Sequence, residues 1–384
     1  MIVQTRFGDD KTVIDAGSRL SKFMGRVRPF SEFALLKLLS GGATSLFSCS
    51  FLPFSAIPAL IKKNETDIVH LHWVCNGTLR IEDIGKINRP VVWTVHDMWA
   101  FTGGCHYSGE CDRYLHGCGR CPQLMRSGPN DLSRSVLRRK ERGWSGLDLT
   151  IVAPSSWIAG CARRSKLFAD RRVEVIPNGV DITVYKPLDR KFARDAWNLP
   201  NNRKLVLFGA LHATSDMRKG FDLLSEAIRL MADQWHDGIE LVVFGASEPE
   251  CPQDFGIPVN FIGHLSDDIS LAMLYSAVDV MVVPSRQDNL PNTVVESLAC
   301  GTPVVAFDIG GMPDLIEHKV TGYLARPFDV ADLAEGVGWM LTDDHRLGVL
   351  GVNARAKALK CFDMKEVAAR YAGLYQDVAH DASH

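Results

Sequence analysis

Short runs of β-branched and apolar residues, each closed by turn residues and followed by helical spacing, recur along this chain and impose an α/β fold. In the first half they are Asp67–His72, Pro90–His96, Leu149–Pro154 and Val173–Pro177. In the second half they are Lys204–Gly209, Glu240–Gly245, Val259–Gly263, Val278–Pro284 and Pro303–Phe307, with helices expected near 218–235, 267–277, 291–300 and 329–342. The runs are continuously apolar, so both sheet faces must be covered, as in a doubly wound parallel sheet. At 384 residues and 46% hydrophobic content the chain can build two cores. The turn-rich stretch Pro177–Asp181 and Tyr185–Arg190 marks the junction. The expected division is therefore 1–183, 184–363 and a C-terminal helix in 364–384. That helix, with Val367, Tyr371, Leu374 and Tyr375 on one face, packs on one domain or bridges both. Two such sheets facing across a cleft would bring their carboxyl ends to one ligand site.

Charge excludes some partners. Lys and Arg number 43 against 45 Asp and Glu, so the formal charge is 43 − 45 = −2 and no global field favours nucleic acid. The first ten residues lack a basic segment leading into an apolar one, which argues for a cytoplasmic protein. The charge-free stretch Leu38–Ile61 contains five Ser, two Gly, Pro53 and Pro58, and reads as strand and loop rather than a membrane span. Ten Cys is too few for a disulfide scaffold, and reduced thiols are expected.

The most informative segment is Val283–Phe307. It leaves a strand and opens a helix, so the backbone N–H groups around Asn289, Leu290, Pro291, Asn292 and Thr293 lie at a helix start that suits a diphosphate. Asp288 and Glu296 are acids eight apart, and either can accept two sugar hydroxyls; a helix cap and a half-buried helix residue are the plainer alternatives. This segment resembles the donor-site signature of the retaining GT-B glycosyltransferases of family 4, the "group 1" family. Asp288 stands in the first acidic place of the E-x7-E pattern and Glu296 in the second, and Gly301, Pro303, Val304 and Val305 match the family's Gly-x-Pro-Val-Val run. The resemblance implies that Glu296 holds the nucleotide ribose and Asp288 the donor sugar. It also implies that Lys219, in Arg218-Lys-Gly-Phe-Asp222, neutralises the diphosphate leaving group, where charge builds in the transition state. Gly209-Ala-Leu211 replaces the family's Gly-Arg-Leu, and Arg218 is the candidate for the missing cation. Gly310-Gly311 before Met312-Pro-Asp-Leu matches the family's Gly-Gly turn at a helix start.

In the first half, Trp93–Tyr107 resembles a subgroup that builds bacterial exopolysaccharide and lipopolysaccharide. There His96 is expected near the reacting sugar, with His70 and His72 on one sheet face lining the same cleft or packing beneath it. Cys105, Cys111, Cys118 and Cys121, within the loop 103–123, have C-x5-C-x6-C-x2-C spacing. Structural zinc, packed reduced thiols and redox-linked pairs all fit that spacing. No cofactor is expected for catalysis. The basic stretches Arg134–Arg142, Arg163–Lys166 and Arg171–Arg172 fit either anionic lipid headgroups at the cytoplasmic face of the inner membrane or a solvated helix face.

The strand, glycine-rich turn and helix that normally open the first sheet are not evident, and the chain is expected to start on the following strand, Met1–Gln4. The whole therefore reads as an α/β protein of the GT-B type with two Rossmann-like doubly wound sheets. The implied activity is transfer of a sugar from a nucleotide-diphospho-sugar to a lipid-linked glycan, with retention. An inactive nucleotide-sugar-binding homologue and a sugar-nucleotide epimerase or hydrolase are the competing readings.

Overall fold

The computed structural model describes residues 1–3, 11–15, 19–53, 55–64, 66–209, 216–235, 238–246 and 255–381, with the backbone alone at 19–22 and 233–235. The chain forms two units, Met1–Ile176 with Tyr371–His384, and Pro177–Arg370. The junction falls at 176/177 rather than 183/184 because the segment after Pro177 is tied into the second unit. Val180 N–H donates to the Phe362 carbonyl at 2.8 Å, and Met364 N–H donates to the Val180 carbonyl at 3.0 Å. The C-terminal helix is Met364–Asp381, and its residues from Tyr371 belong to the first unit.

In the first unit β1 (Val69–Leu71), β2 (Val91–Thr94), β3 (Leu149–Ala153) and β4 (Arg172–Val175) form a parallel sheet in that order. Every residue of β2 and β3 is buried, as their apolar runs require. The helix Leu132–Trp144 starts at Asp131, whose carboxylate accepts from Ser133 and Arg134 N–H; the helix Ser156–Arg164 starts at Ser155, whose hydroxyl accepts from Ile158 N–H. Two expectations change. A 22-residue helix, Arg19–Ser40, runs through Pro29, and a second helix, Ile57–Lys63, closes the stretch expected as strand and loop. In place of a first strand at Met1–Gln4 there is an isolated bridge between Ile2 and Ile14, with Gln4 outside the described residues.

The core of this unit contains Trp93, Trp99 and Trp144, with ring centroids 5.2–6.2 Å apart. Lys140 is fully buried beside them. Its ammonium donates to the carbonyls of Trp99 and, at 3.0 Å, Thr102, and lies 3.7 Å from the Trp99 ring centre. Burial pulls Lys140 down to about 7. Its unfolded value is near 10.4, so between those pH values the unfolded chain holds a proton that the folded one lacks, and stability rises with pH. Buried thiols such as Cys105 and Cys118 act with the opposite sign above pH 8, so the Lys140 contribution is read as the difference in urea midpoint between wild type and Lys140→Met from pH 7 to pH 9. The slope should be more positive in the wild type than in Lys140→Met, and the variant should cost about 1–3 kcal/mol at pH 9, because two buried carbonyls lose their donor. Equal slopes in both proteins would contradict the assignment.

In the second unit β5 (Lys204–Gly209), β6 (Ile239–Phe244), β7 (Val259–Gly263), β8 (Val280–Val283), β9 (Val304–Phe307) and β10 (Gly322–Ala325) form a parallel sheet ordered β10-β9-β8-β5-β6-β7. Its two faces carry separate cores. Val280, Val282, Val305 and Phe307 enter one, and Met281, Val283, Val304 and Ala306 the other. The strand order reverses between β5 and β8, so the loops leaving these strands diverge around a crevice at their carboxyl ends. Among the described residues no helix is long and apolar enough to cross a membrane.

Candidate donor site in the second unit

The segment after β5 and the loop after β8 are locked together at this switch point. Gly220 has φ +71°, and a Cβ there would sit 2.0 Å from the Pro284 carbonyl oxygen, so only glycine fits. Arg286 N–H donates to the Arg218 carbonyl at 2.8 Å, while its guanidinium grips both oxygens of Asp222 at 2.7 and 2.6 Å. Lys219 and Arg218 are thereby aimed at one carboxylate. Lys219 Nζ lies 2.7 Å and Arg218 3.2 Å from Asp288 Oδ2, and Arg218 also bonds Asp216 at 3.0 Å. The other oxygen, Asp288 Oδ1, accepts from Asn289 N–H at 3.0 Å. The Asp288 carbonyl in turn accepts from Gly311 N–H at 3.2 Å, across the φ +56° turn at Gly310.

The structure places Asp288, read from the sequence as a contact of the donor sugar, in this cluster. Both oxygens are engaged by the protein, as counterion to the two cations and as acceptor from the next amide. Phosphate oxygens can replace this carboxylate on Lys219 and Arg218 without leaving either charge unpaired. The helix Asn292–Ala299 follows Pro291 and has no side-chain cap, which leaves the amides at its start for an anion. Asn289 and Leu290 are buried before it, while Asn292 is exposed and accepts from Asn178 at 2.8 Å. Thr293 is half-buried in the first turn.

One turn further on, Glu296 Oε2 accepts from the Tyr275 hydroxyl at 2.8 Å. Burial pushes the Glu296 carboxyl up, against the Tyr275 bond. This half-buried acid, oriented by a buried tyrosine, has the chemistry to accept ribose hydroxyls. Tyr275, Ser285 and Asp216 were not found from sequence; they sit 21, 3 and 2 residues from their partners Glu296, Asp288 and Arg218, in no pattern that announces a contact. The Gly209-Ala210-Leu211 substitution falls on residues 210 and 211, outside the described residues.

His96 belongs to the first unit, just beyond β2. His96 Nε2 lies 2.9 Å from His72 Nδ1 and the rings stack at 5.3 Å, while the His70 and His72 rings are 4.2 Å apart. His70 bonds the Tyr375 hydroxyl at 2.7 Å and Thr94 at 2.8 Å, and Tyr371 bonds Thr94 at 2.9 Å. Burial, reinforced by the neighbouring imidazoles, pushes His70 down to about 3 and His96 down to about 4. These rings are thus neutral at physiological pH, able to donate or accept a hydrogen bond but carrying no charge.

Structural zinc is one of three readings of the cysteine loop. Among the described residues, which include Cys105, Cys111, Cys118 and Cys121, no group of three or more His, Cys, Asp or Glu is gathered so as to hold a metal ion. Cys105 pairs with Phe47 in an isolated bridge, and Cys118 and Arg120 adopt left-handed backbone. Burial pushes the Cys105 and Cys118 thiols up to about 12, which keeps them protonated. The basic stretches are largely committed inside the protein as well. Arg139 pairs with Glu82, Lys166 with Glu141 and Arg172 with Glu174, while Arg134, Arg163 and Arg171 donate to backbone carbonyls and Lys140 is buried.

Two parallel-sheet α/β units, one with a cationic pair and an acid at its switch point, define a chain of the GT-B fold. Residues 202–343 match the family model "Glycosyl transferases group 1", and residues 28–184 match "Glycosyltransferase Family 4". The chain is 25% identical over 310 residues to a D-inositol 3-phosphate glycosyltransferase of Nocardia farcinica, an alignment covering 76% of this chain and 62% of that protein. It is 28% identical over 249 residues to the putative colanic acid biosynthesis glycosyl transferase WcaC of Escherichia coli, covering 62% and 58%. The chain thus spans about three-fifths of the length of these relatives. Among solved structures, sucrose-phosphate synthase of Thermosynechococcus elongatus shares the fold with a TM-score of 0.66 at 23% identity, covering 84% of this chain and 76% of that one. HepE of Anabaena, solved with UDP, does so with a TM-score of 0.61 at 20% identity, covering 84% and 82%.

Proposed function

We propose that this chain is a glycosyltransferase that takes a nucleotide-diphospho-sugar and passes the sugar, with retention, to a lipid-linked glycan. The observation that carries this reading is the pairing of Lys219 and Arg218 on a replaceable carboxylate beside the Asn292 helix start, with Glu296 one turn along. The diphosphate takes the cations and the helix amides, and the ribose takes Glu296. His96 assists near the reacting sugar. HepE, one of the fold relatives, has been solved with UDP and with UDP-glucose, which supports a uridine donor as the first to try. Asp288 is held at both carboxylate oxygens, which speaks against a covalent nucleophile at that position and for front-face displacement, in which the leaving phosphate oxygen receives the acceptor proton. The polysaccharide acceptor rests on the likeness to WcaC.

The test is thermal unfolding with UDP, GDP, ADP and their sugar conjugates. At a hundred times Kd a ligand adds about 2.7 kcal/mol, so one base is expected to raise the midpoint of the second unit, and Glu296→Ala should remove most of that rise. No rise with any nucleotide would refute the donor site.

A further inference from the structure

Trp73, just beyond β1 in the first unit, is 42% exposed, yet its indole is fixed with unusual care. The Trp73 N–H donates to Asp97 Oδ2 at 3.1 Å. The same oxygen receives His106 Nδ1 at 2.7 Å, and Asp97 Oδ1 accepts from Trp99 N–H at 2.8 Å. The His106 imidazole is 1% exposed, and its Nε2 is bonded to the buried Ser48 hydroxyl at 2.9 Å. The His106 ring also lies under Trp73, with centroids 5.8 Å apart. Burial works against the Asp97 carboxylate, but these donors hold its carboxyl below the usual range.

The sequence Ser48···His106···Asp97 has the connectivity of a nucleophilic triad, but it is not placed to act as one. Ser48 is 3% exposed, so no substrate carbon reaches its hydroxyl, and both Asp97 oxygens are engaged. Among the described residues the network is most open to the surface at the Trp73 indole, with the Asp97 side chain 13% exposed. An exposed indole N–H is satisfied by water, so a buried charged network is not needed to hydrate it. What the network does is hold a flat apolar ring rigid at the carboxyl end of a parallel sheet, where such folds bind ligands. The cavity beside the ring, lined by Trp73, His72, His96 and Asp97 and by the buried Trp93 and Trp99, is about 10 Å³ and holds no more than a water, so a sugar would lie on the open face of the indole. Rigid apolar area next to neutral hydrogen-bonding imidazoles suits a ligand with an apolar C–H face and hydroxyls around its edge.

We propose that Trp73 is a stacking platform for a pyranose ring of the acceptor glycan, with Asp97 and His106 as positioning residues that set the indole plane. The proposal rests on the glycosyltransferase reading for the word acceptor, whereas the sugar site itself does not depend on it. Hydroxyls at the ring edge reach His72 and His96, so the epimer is read there while Trp73 supplies sequence-tolerant area.

The whole chain, labelled with 15N at its tryptophan indoles, provides the test, with Trp73→Phe identifying the Trp73 signal. Methyl α-glucoside, α-galactoside, α-mannoside and N-acetylglucosaminide serve as probes. The Trp73 indole is expected to shift and saturate with at least one, and not equally with all four. Asp97→Asn should weaken that binding at least tenfold and broaden the Trp73 signal; a purely structural Asp97 would change stability while leaving the affinity of folded protein intact. Trp73→Ala should abolish binding, followed by ligand-observed saturation transfer. A Trp73 signal unmoved by every glycoside, or moved alike by all without saturation, overturns the proposal. A UDP-dependent thermal shift measured on the same sample separates the two readings: glycoside binding without a nucleotide response sinks the donor site alone, and the converse sinks the platform alone.

Discussion

Gly310→Val is expected to destabilise the second unit by about 2–4 kcal/mol and to abolish any nucleotide-dependent stabilisation. Gly310 holds φ +56°, and a Cβ there would meet the Asp288 carbonyl oxygen at 2.1 Å. Backbone cannot yield as the tip of a side chain does. The 288 loop must move, and with it the carboxylate that orders Lys219 and Arg218. Urea unfolding gives the first effect and melts with UDP the second. Gly310→Ala should show the same pattern in milder form. A valine variant with wild-type stability would mean that the two loops are not in contact.

Acidification between pH 6.5 and 4 is expected to weaken the first unit steeply. His70 is pushed down to about 3 and His96 down to about 4, whereas an unfolded histidine titrates near 6.5. In that window the unfolded chain binds protons that the folded one refuses, so stability is lost as pH falls, by up to about 2.7 kcal/mol per pH unit for two groups. Carboxylates contribute to acid unfolding too, so the decisive comparison is with His70→Gln. Its slope between pH 6 and 5 should be shallower by up to about 1.4 kcal/mol per pH unit, the share of one proton. Identical slopes would show that His70 is protonated in the folded protein.

The fold was legible where apolar runs are long and β-branched. Lys204–Gly209 and Val259–Gly263 are strands to the residue. The strand Gly322–Ala325 escaped notice because its four residues begin with glycine and include no β-branched side chain. Pro29 hid the helix Arg19–Ser40 in the same way, since proline ordinarily ends a helical pattern. At the candidate site, spacing singled out Asp288 and Glu296 through the helix that comes after β8. It did not reveal that Lys219, 69 residues earlier, lies on Asp288, because contacts across a parallel sheet are set by strand order. Asp97 and His106 lie in the Trp93–Tyr107 segment that the sequence singled out, but their contact with Trp73 left no signal, since no periodicity connects a strand end to a loop 33 residues on.

The two units also differ in how early they can be finished as the chain emerges from the ribosome. Pro177–Arg370 is contiguous, so every partner it needs is present once residue 370 is out. The first unit must wait. His70 and Thr94 bond to tyrosines made 305 and 277 residues later, and at an elongation rate of about 5–20 residues per second that delay is tens of seconds. Through that interval His70 of β1 and Thr94 of β2 lack their tyrosine partners, and of the two units the one translated earlier is the later to close.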